Sequence, residues 1–190
     1  MITENVTYYI AIGFKEDNKW FESFNRIIEE MDKDKTLLFL KARYVMDATE
    51  ENPEMVKFDF FPNVETVKIA ITSDLPPIDY VASDGTPAGF NTAMLAEIAR
   101  RLKINVELIN INSGARAAAL ASWRADGVFW FWYDKTISKK GSQSTADSSI
   151  NNHNHNIDGI ILRDVPAGVK LTVPYYSWDQ LIFVGRKRHF

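Results

Sequence analysis

Between residues 67 and 133 short apolar runs alternate with stretches of helical period, and this alternation constrains the fold more than any other feature. Residues 67–72 (VKIAIT) make an apolar run suited to a strand covered on both faces. Met94, Leu95, Ile98 and Leu102 then recur at three- and four-residue spacing, the stripe of a helix with one buried face that Asn91 is placed to cap. Residues 105–111 (NVELINI) alternate and read as a second strand. A helix opening at Ser113 or Gly114 runs through Ala117, Leu120 and Ala121 to Trp123, and residues 127–133 (GVFWFWY) form a third strand. Strands separated by helices imply a parallel sheet with right-handed crossovers. The expected architecture is therefore an α/β, three-layer lobe with a mostly parallel sheet.

The chain before this region has the same vocabulary in a different order. Residues 7–13 (TYYIAIG) are rich in β-branched and aromatic residues and read as a strand. Asp17 or Asn18 is the expected N-cap of a helix in which Trp20, Phe21, Phe24, Ile27, Ile28 and Met31 form the buried stripe. Asp34 or Thr36 starts a second, shorter helix with Leu37, Leu40 and Tyr44 inward. Residues 47–65 hold Glu50, Glu51, Glu54, Pro53 and Pro62 with little periodicity, and read as a linker with a short extended piece at 56–60. The apolar stripes at 20–31 and 94–102 both need a sheet to cover, and one shared sheet satisfies both.

Composition removes several classes of function. A chain of 190 residues is long enough for one large or two small domains with a real core. Its formal net charge of −3 gives no general attraction to nucleic acid or to an anionic membrane. The absence of cysteine excludes disulfides and thiolate chemistry. No apolar run approaches the roughly 18–20 residues that span a bilayer. The opening MITEN lacks the basic and apolar regions of a secretory signal, so the protein is either cytoplasmic or its export signal is absent from this chain. Residues 138–156 are dominated by Ser, Asn and His and are expected to be a flexible polar loop. Within it His153 and His155 flank an asparagine, but no third ligand is near enough in sequence to make a metal site. Arg186, Lys187 and Arg188 read as a solvated basic end. No nucleophile with a base, acid–base pair or glycine-rich phosphate loop is present, so neither catalytic residues nor a cofactor are expected.

The stretch VKIAITSDLPPIDY (67–80), followed by DGTPAGFN (84–91), resembles the first strand and entry loop of family-3 extracellular solute-binding proteins. Residues 174–184 (PYYSWDQLIFV) resemble that family's crossing strand from lobe one into lobe two. Residues 1–46 resemble the closing part of lobe one, which in the family follows the return from lobe two. The end of the fold thus precedes its beginning. The resemblance implies a class II periplasmic-binding-protein-like lobe in permuted order: 1–46 as its C-terminal part, 47–65 as linker and 66–190 as its N-terminal part. Lobe two would have no counterpart. A tandem-receptor fragment is the alternative, in which the two parts pair between chains by domain swapping.

The resemblance also implies a function: non-catalytic binding of a small polar solute, most naturally an amino acid, for an ABC-transporter receptor or sensor. An ABC-transporter permease would be its partner and the cell envelope or extracellular space its location. A buried zwitterion needs both charges paired, and an arginine fork is the best partner for a carboxylate. Here the family's arginine motif after the third strand is missing, Asn91 stands where aspartate is usual, and the aromatic cover falls at Leu75. Arg116 is the candidate anion holder in place of the missing arginine; the plain alternative is a surface arginine near a helix end. Asp74, Tyr80, Trp130, Trp132 and Tyr133 are the other candidate site residues, at the C-terminal edge of the sheet. Strict alternation sends successive residues of 129–133 to opposite faces, so only some of these aromatics belong to the site and the rest to the core. The rival function is a sensing or interaction module whose small-molecule site has decayed. Self-association through the open cleft face is a further expectation.

Overall fold

The computed structural model describes residues 2–46, 55, 57–135, 156–157, 160–162 and 165–184. Strand β1 (Ile2–Lys15) leads into helix α1 (Phe21–Lys33), the short helix α2 (Thr36–Lys41) and a turn of π-helix over Ala42–Met46. Then come β2 (Thr66–Ile71) and three short strands, β3 (Asp74–Leu75), β4 (Asp79–Val81) and β5 (Pro87–Ala88). They are followed by α3 (Phe90–Leu102), β6 (Asn105–Asn110), a 3-10 turn at Ser113–Ala115, α4 (Arg116–Ala121) and β7 (Gly127–Lys135). Strands β8 (Asn156–Ile157), β9 (Ile160–Leu162), β10 (Val169–Leu171) and β11 (Tyr176–Val184) follow. Apart from Asn156, the polar loop 138–156 with its histidines lies outside the described residues, as do 47–54 and the basic cluster 186–188. The extended piece expected at 56–60 forms no strand over 57–60.

The main sheet runs β10–β1–β7–β2–β6, with β11 also on β1 and β9 on β7. Parallel pairing joins β2 to β6 and to β7, because α3 and α4 supply the crossovers that parallel neighbours require. β1 runs antiparallel to β7, β10 and β11, so the parallel character is confined to the β6–β2–β7 side of the sheet. The expected α/β layering is present. Val67, Ile69 and Ile71 of β2 join Ile10, Ile12 and Phe14 of β1 in a core covered by α1, α2 and α3. Ala70 and Val128 point the other way, against Ala119 and Leu120 of α4. Period-two alternation along β2 thus feeds both cores.

The helix stripes are as the spacing implied. Phe24, Ile27, Ile28 and Met31 of α1 are buried, as are Leu37 and Tyr44 beyond it. Asp34 serves α2 as expected, accepting from the Thr36 N–H at 3.0 Å and the Thr36 hydroxyl at 2.6 Å. Trp20, rather than Asp17 or Asn18, is the N-cap of α1, and Asn18 acts two residues ahead of it, its side-chain oxygen accepting from the Trp20 N–H at 2.8 Å. Asn91 departs from expectation. Gly89 is the N-cap of α3, and the N–H groups of Phe90 and Asn91 donate to the carbonyls of Pro77 and Ile78. With those donors already taken, a side-chain cap has nothing to do there, and Asn91 is instead fully buried.

Two interactions tie the early segment to the later one. Between β10 and β11, Pro174 cannot donate to a ladder and regular strand pairing with β1 is interrupted, although the Thr172 and Tyr175 N–H groups still donate to the Ile12 and Ile10 carbonyls at 3.0 Å. The Thr172 hydroxyl accepts from the Ile12 N–H at 3.1 Å, and Asn25 of α1 accepts from the Val173 N–H at 2.7 Å. On the helical face, Arg101 of α3 pairs with both Asp34 (2.8 Å) and Glu97 (2.6 Å), and donates to Thr36. The Thr36 hydroxyl and then Arg101 hold the Asp34 carboxyl at about 2, below its ordinary 3.8. Arg100, and next Arg101, hold Glu97 below its ordinary value. A carboxyl with a lowered folded pKa contributes stability above its unfolded pKa and loses it as pH falls through the folded value. Stability is therefore expected to decline between about 4.5 and about 2 partly through this cluster. Asp34→Asn should flatten that decline, read from urea midpoints followed from neutral pH down through the carboxylate range. An unchanged slope would remove the cluster from the account.

Candidate functional site

The C-terminal ends of β2 and β6 lie side by side, with Ile71 opposite Asn110. The loops that leave them form the edge where ligands of open α/β sheets gather. After β2 the chain turns at Ser73, whose φ of 57 is left-handed. It then lays down the three-stranded β3–β4–β5 sheet. The Thr72 N–H donates to the Asp79 carboxylate at 3.2 Å, and the Thr72 hydroxyl donates to Asp74 at 2.7 Å. Asp79 is fully buried, so its side chain braces this loop rather than facing a ligand. Gly89, the Pro77 and Ile78 carbonyls and the first turn of α3 close the loop from below.

Asp74 and Tyr80 are brought together: they are direct partners in the β3–β4 pair, Asp74 exposed and Tyr80 half-buried. Arg116 is the half-buried first residue of α4 and follows the neighbouring strand β6. Asn112 shapes that turn, its side-chain oxygen accepting from the Gly114 N–H at 2.9 Å. Trp130, Trp132 and Tyr133 all lie on β7, on the opposite flank of β2 from β6, with Trp132 opposite Ile10 and Tyr133 opposite Tyr9; their side chains are outside what is described. Between Val128 and Phe131 β7 carries one residue more than β1 does between Gly13 and Ala11. A bulge of this kind re-aims the strand, so the alternation argument does not carry from Phe129 to Trp132.

Residues that the sequence reading did not single out also shape this edge. Phe90, fully buried, packs its ring on Tyr175 (6.3 Å, stacked) and Tyr176 (5.5 Å, edge-on), and Phe129 meets Tyr175 edge-on at 5.5 Å. Burial pushes the Tyr176 phenol above its ordinary pKa. Lys41 reaches over from α2 to sit 4.5 Å from the Tyr176 ring centre while donating to the Ser177 carbonyl. Beneath the loop, both amide atoms of Asn91 and the hydroxyl of Thr92 are buried without a hydrogen-bond partner among the described residues. Asp79 had a legible signal. A loop this tight must find an acceptor for the N–H at the end of its strand, and a carboxylate just past two prolines supplies one.

Among the described residues no group of three metal-ligating side chains exists, and no helix is long and apolar enough to cross a membrane. Residues 67–140 match the family model of bacterial extracellular solute-binding proteins, family 3. No curated protein matches the chain. Among solved structures, the chain is similar to a phenylalanine-to-tryptophan mutant of the arginine-bound form of domain 1 from TmArgBP, at 20% identity and a TM-score of 0.33. That match covers 52% of this chain and 78% of the other. The likeness to family-3 extracellular solute-binding proteins thus rests on residues 67–140, less than half of the chain.

Proposed function

We propose that this lobe binds a free amino acid, or a similarly small zwitterion, at the C-terminal edge of β2 and β6, without covalent chemistry. The observation that carries the reading is the coincidence of the family match with the placement of Asp74, Tyr80 and Arg116. These lie on loops leaving the ends of two adjacent parallel strands inside the matched segment. Asp74 offers an anion for the ammonium, Arg116 a guanidinium for the carboxylate and Tyr80 an aromatic face. Residues 1–46 and 66–190 are read as two parts of one lobe in permuted order, supported by the ladders from β1 to β7, β10 and β11. The protein would serve an ABC-type permease or a sensor at the cell envelope.

A thermal-shift series with each standard L-amino acid tests this. Ligand at about 100 times its Kd adds roughly 2.7 kcal/mol to the folded state, a clear rise in melting temperature. Asp74→Asn and Arg116→Gln should each abolish the rise. The absence of a shift with every solute would turn the reading toward an interaction module. The exposure of Leu75 (39%) and Val81 (42%) at the mouth favours that second reading, since an apolar rim is what a macromolecular partner would cover.

A further inference from the structure

A small solute bound on one flat edge keeps most of its surface in water, whereas ligand sites bury most of it between walls. The loops after β2 and β6 supply a single wall. β2 ends at Ile71, one residue beyond the Ala70–Val128 pair, and β6 ends beside it at Asn110. The strands on the other flank do not stop there. β7 runs on through residues 130–135, about 20 Å of strand at 3.3 Å per residue. β1 accompanies it back to Thr7 and then runs on to Ile2 against β11, which reaches Val184. β9 adds to β7 through Tyr133–Leu162 and Lys135–Ile160, and β8 adds to β9. Past the parallel edge the sheet thus continues as a purely antiparallel ribbon in the order β11–β1–β7–β9–β8. Tyr8 and Trp178, paired across β1 and β11 in this ribbon, stack at 5.6 Å.

We infer that this ribbon is the second wall of the solute site. The loops bearing Asp74, Tyr80 and Arg116 form one side, and the β7 extension beyond Phe129 stands beside them as the other. The inference rests on the function proposed above and deepens it: the ligand is held within one lobe, between its loops and its own strand extension. It also gives the candidate positions Trp130, Trp132 and Tyr133 a common place, since all three lie on the part of β7 that outruns β2.

The test opens the ribbon while leaving the parallel sheet alone. Thr7 has Asp179 on one side and Lys135 on the other, so proline there must delete a ladder hydrogen bond. In the full chain, Thr7→Pro should keep slow amide exchange in β2 and α3, speed exchange in β7 beyond residue 130, and lose the amino-acid-induced rise in melting temperature. If Thr7→Pro does not fold, Lys135→Pro, at the outer end of β7 between Thr7 and Ile160, carries the same readings. A rise retained in a variant whose ribbon exchanges fast overturns the second wall and leaves the proposed function standing. A wild-type chain that responds to no amino acid overturns both.

Discussion

Replacing Gly89 by alanine is expected to destabilise the lobe by roughly 3–5 kcal/mol, among the largest effects any single substitution here should have. Two independent costs meet at this residue. Its φ of 101 lies where L-residues are strained. A Cβ would also sit 2.7 Å from both the Pro77 and Ile78 carbonyl oxygens. Those oxygens cannot retreat cheaply, because they accept the Phe90 and Asn91 N–H groups that open α3. Relief of the clash would unfasten the helix from the entry loop. Gly85 is the internal control: its φ is 85, but nothing lies within 4 Å of an added Cβ. Gly85→Ala should cost only about 1–2 kcal/mol of backbone strain. Urea unfolding of both variants decides the matter, and equal losses would mean that the carbonyl contact contributes nothing.

Phe90→Ala should cost about 3–5 kcal/mol, the usual range for emptying a fully enclosed aromatic position. The ring has no solvent exposure and packs on Tyr175 and Tyr176, which lead into β11. The loss should therefore appear in two places that are far apart in sequence. Native-state hydrogen exchange should quicken in α3 and also along β11, whereas a purely local cavity would affect α3 alone. Phe90→Leu, which refills most of the volume, should recover much of the loss.

The fold was legible wherever one period dominated. The stripe at Met94, Leu95 and Ile98 and the apolar run at 67–72 each had a single physical interpretation, and β2 and α3 follow them closely. The inward face of Leu37 and Tyr44 was equally readable, since two buried positions a helical repeat apart leave little choice. Strand length was less legible. β1 begins at Ile2 rather than near Thr7, because its outer half is held by pairing with β11, a partner that local pattern does not reveal. The cap of α3 was misread for a related reason. Asn91 has the right chemistry for a cap, but the carbonyls that do the work come from a loop thirteen to fourteen residues upstream of it. At the candidate site, Asp74 and Tyr80 follow from the entry-loop motif, and their direct pairing is visible only in three dimensions. The β7 aromatics were legible as a group but not individually, because a bulge cancels the alternation that would have sorted them.

The patch at Thr172, Val173 and Asn25 has a mechanical consequence. Between β10 and β11 the chain is fastened to β1 by backbone and side chain together: the Thr172 and Tyr175 N–H groups donate to the Ile12 and Ile10 carbonyls, and the Thr172 hydroxyl accepts from the Ile12 N–H. Asn25 adds a hold from α1 on the Val173 N–H. The gap that a proline opens in the edge is thus sutured, and strand and helix are clamped at the same point.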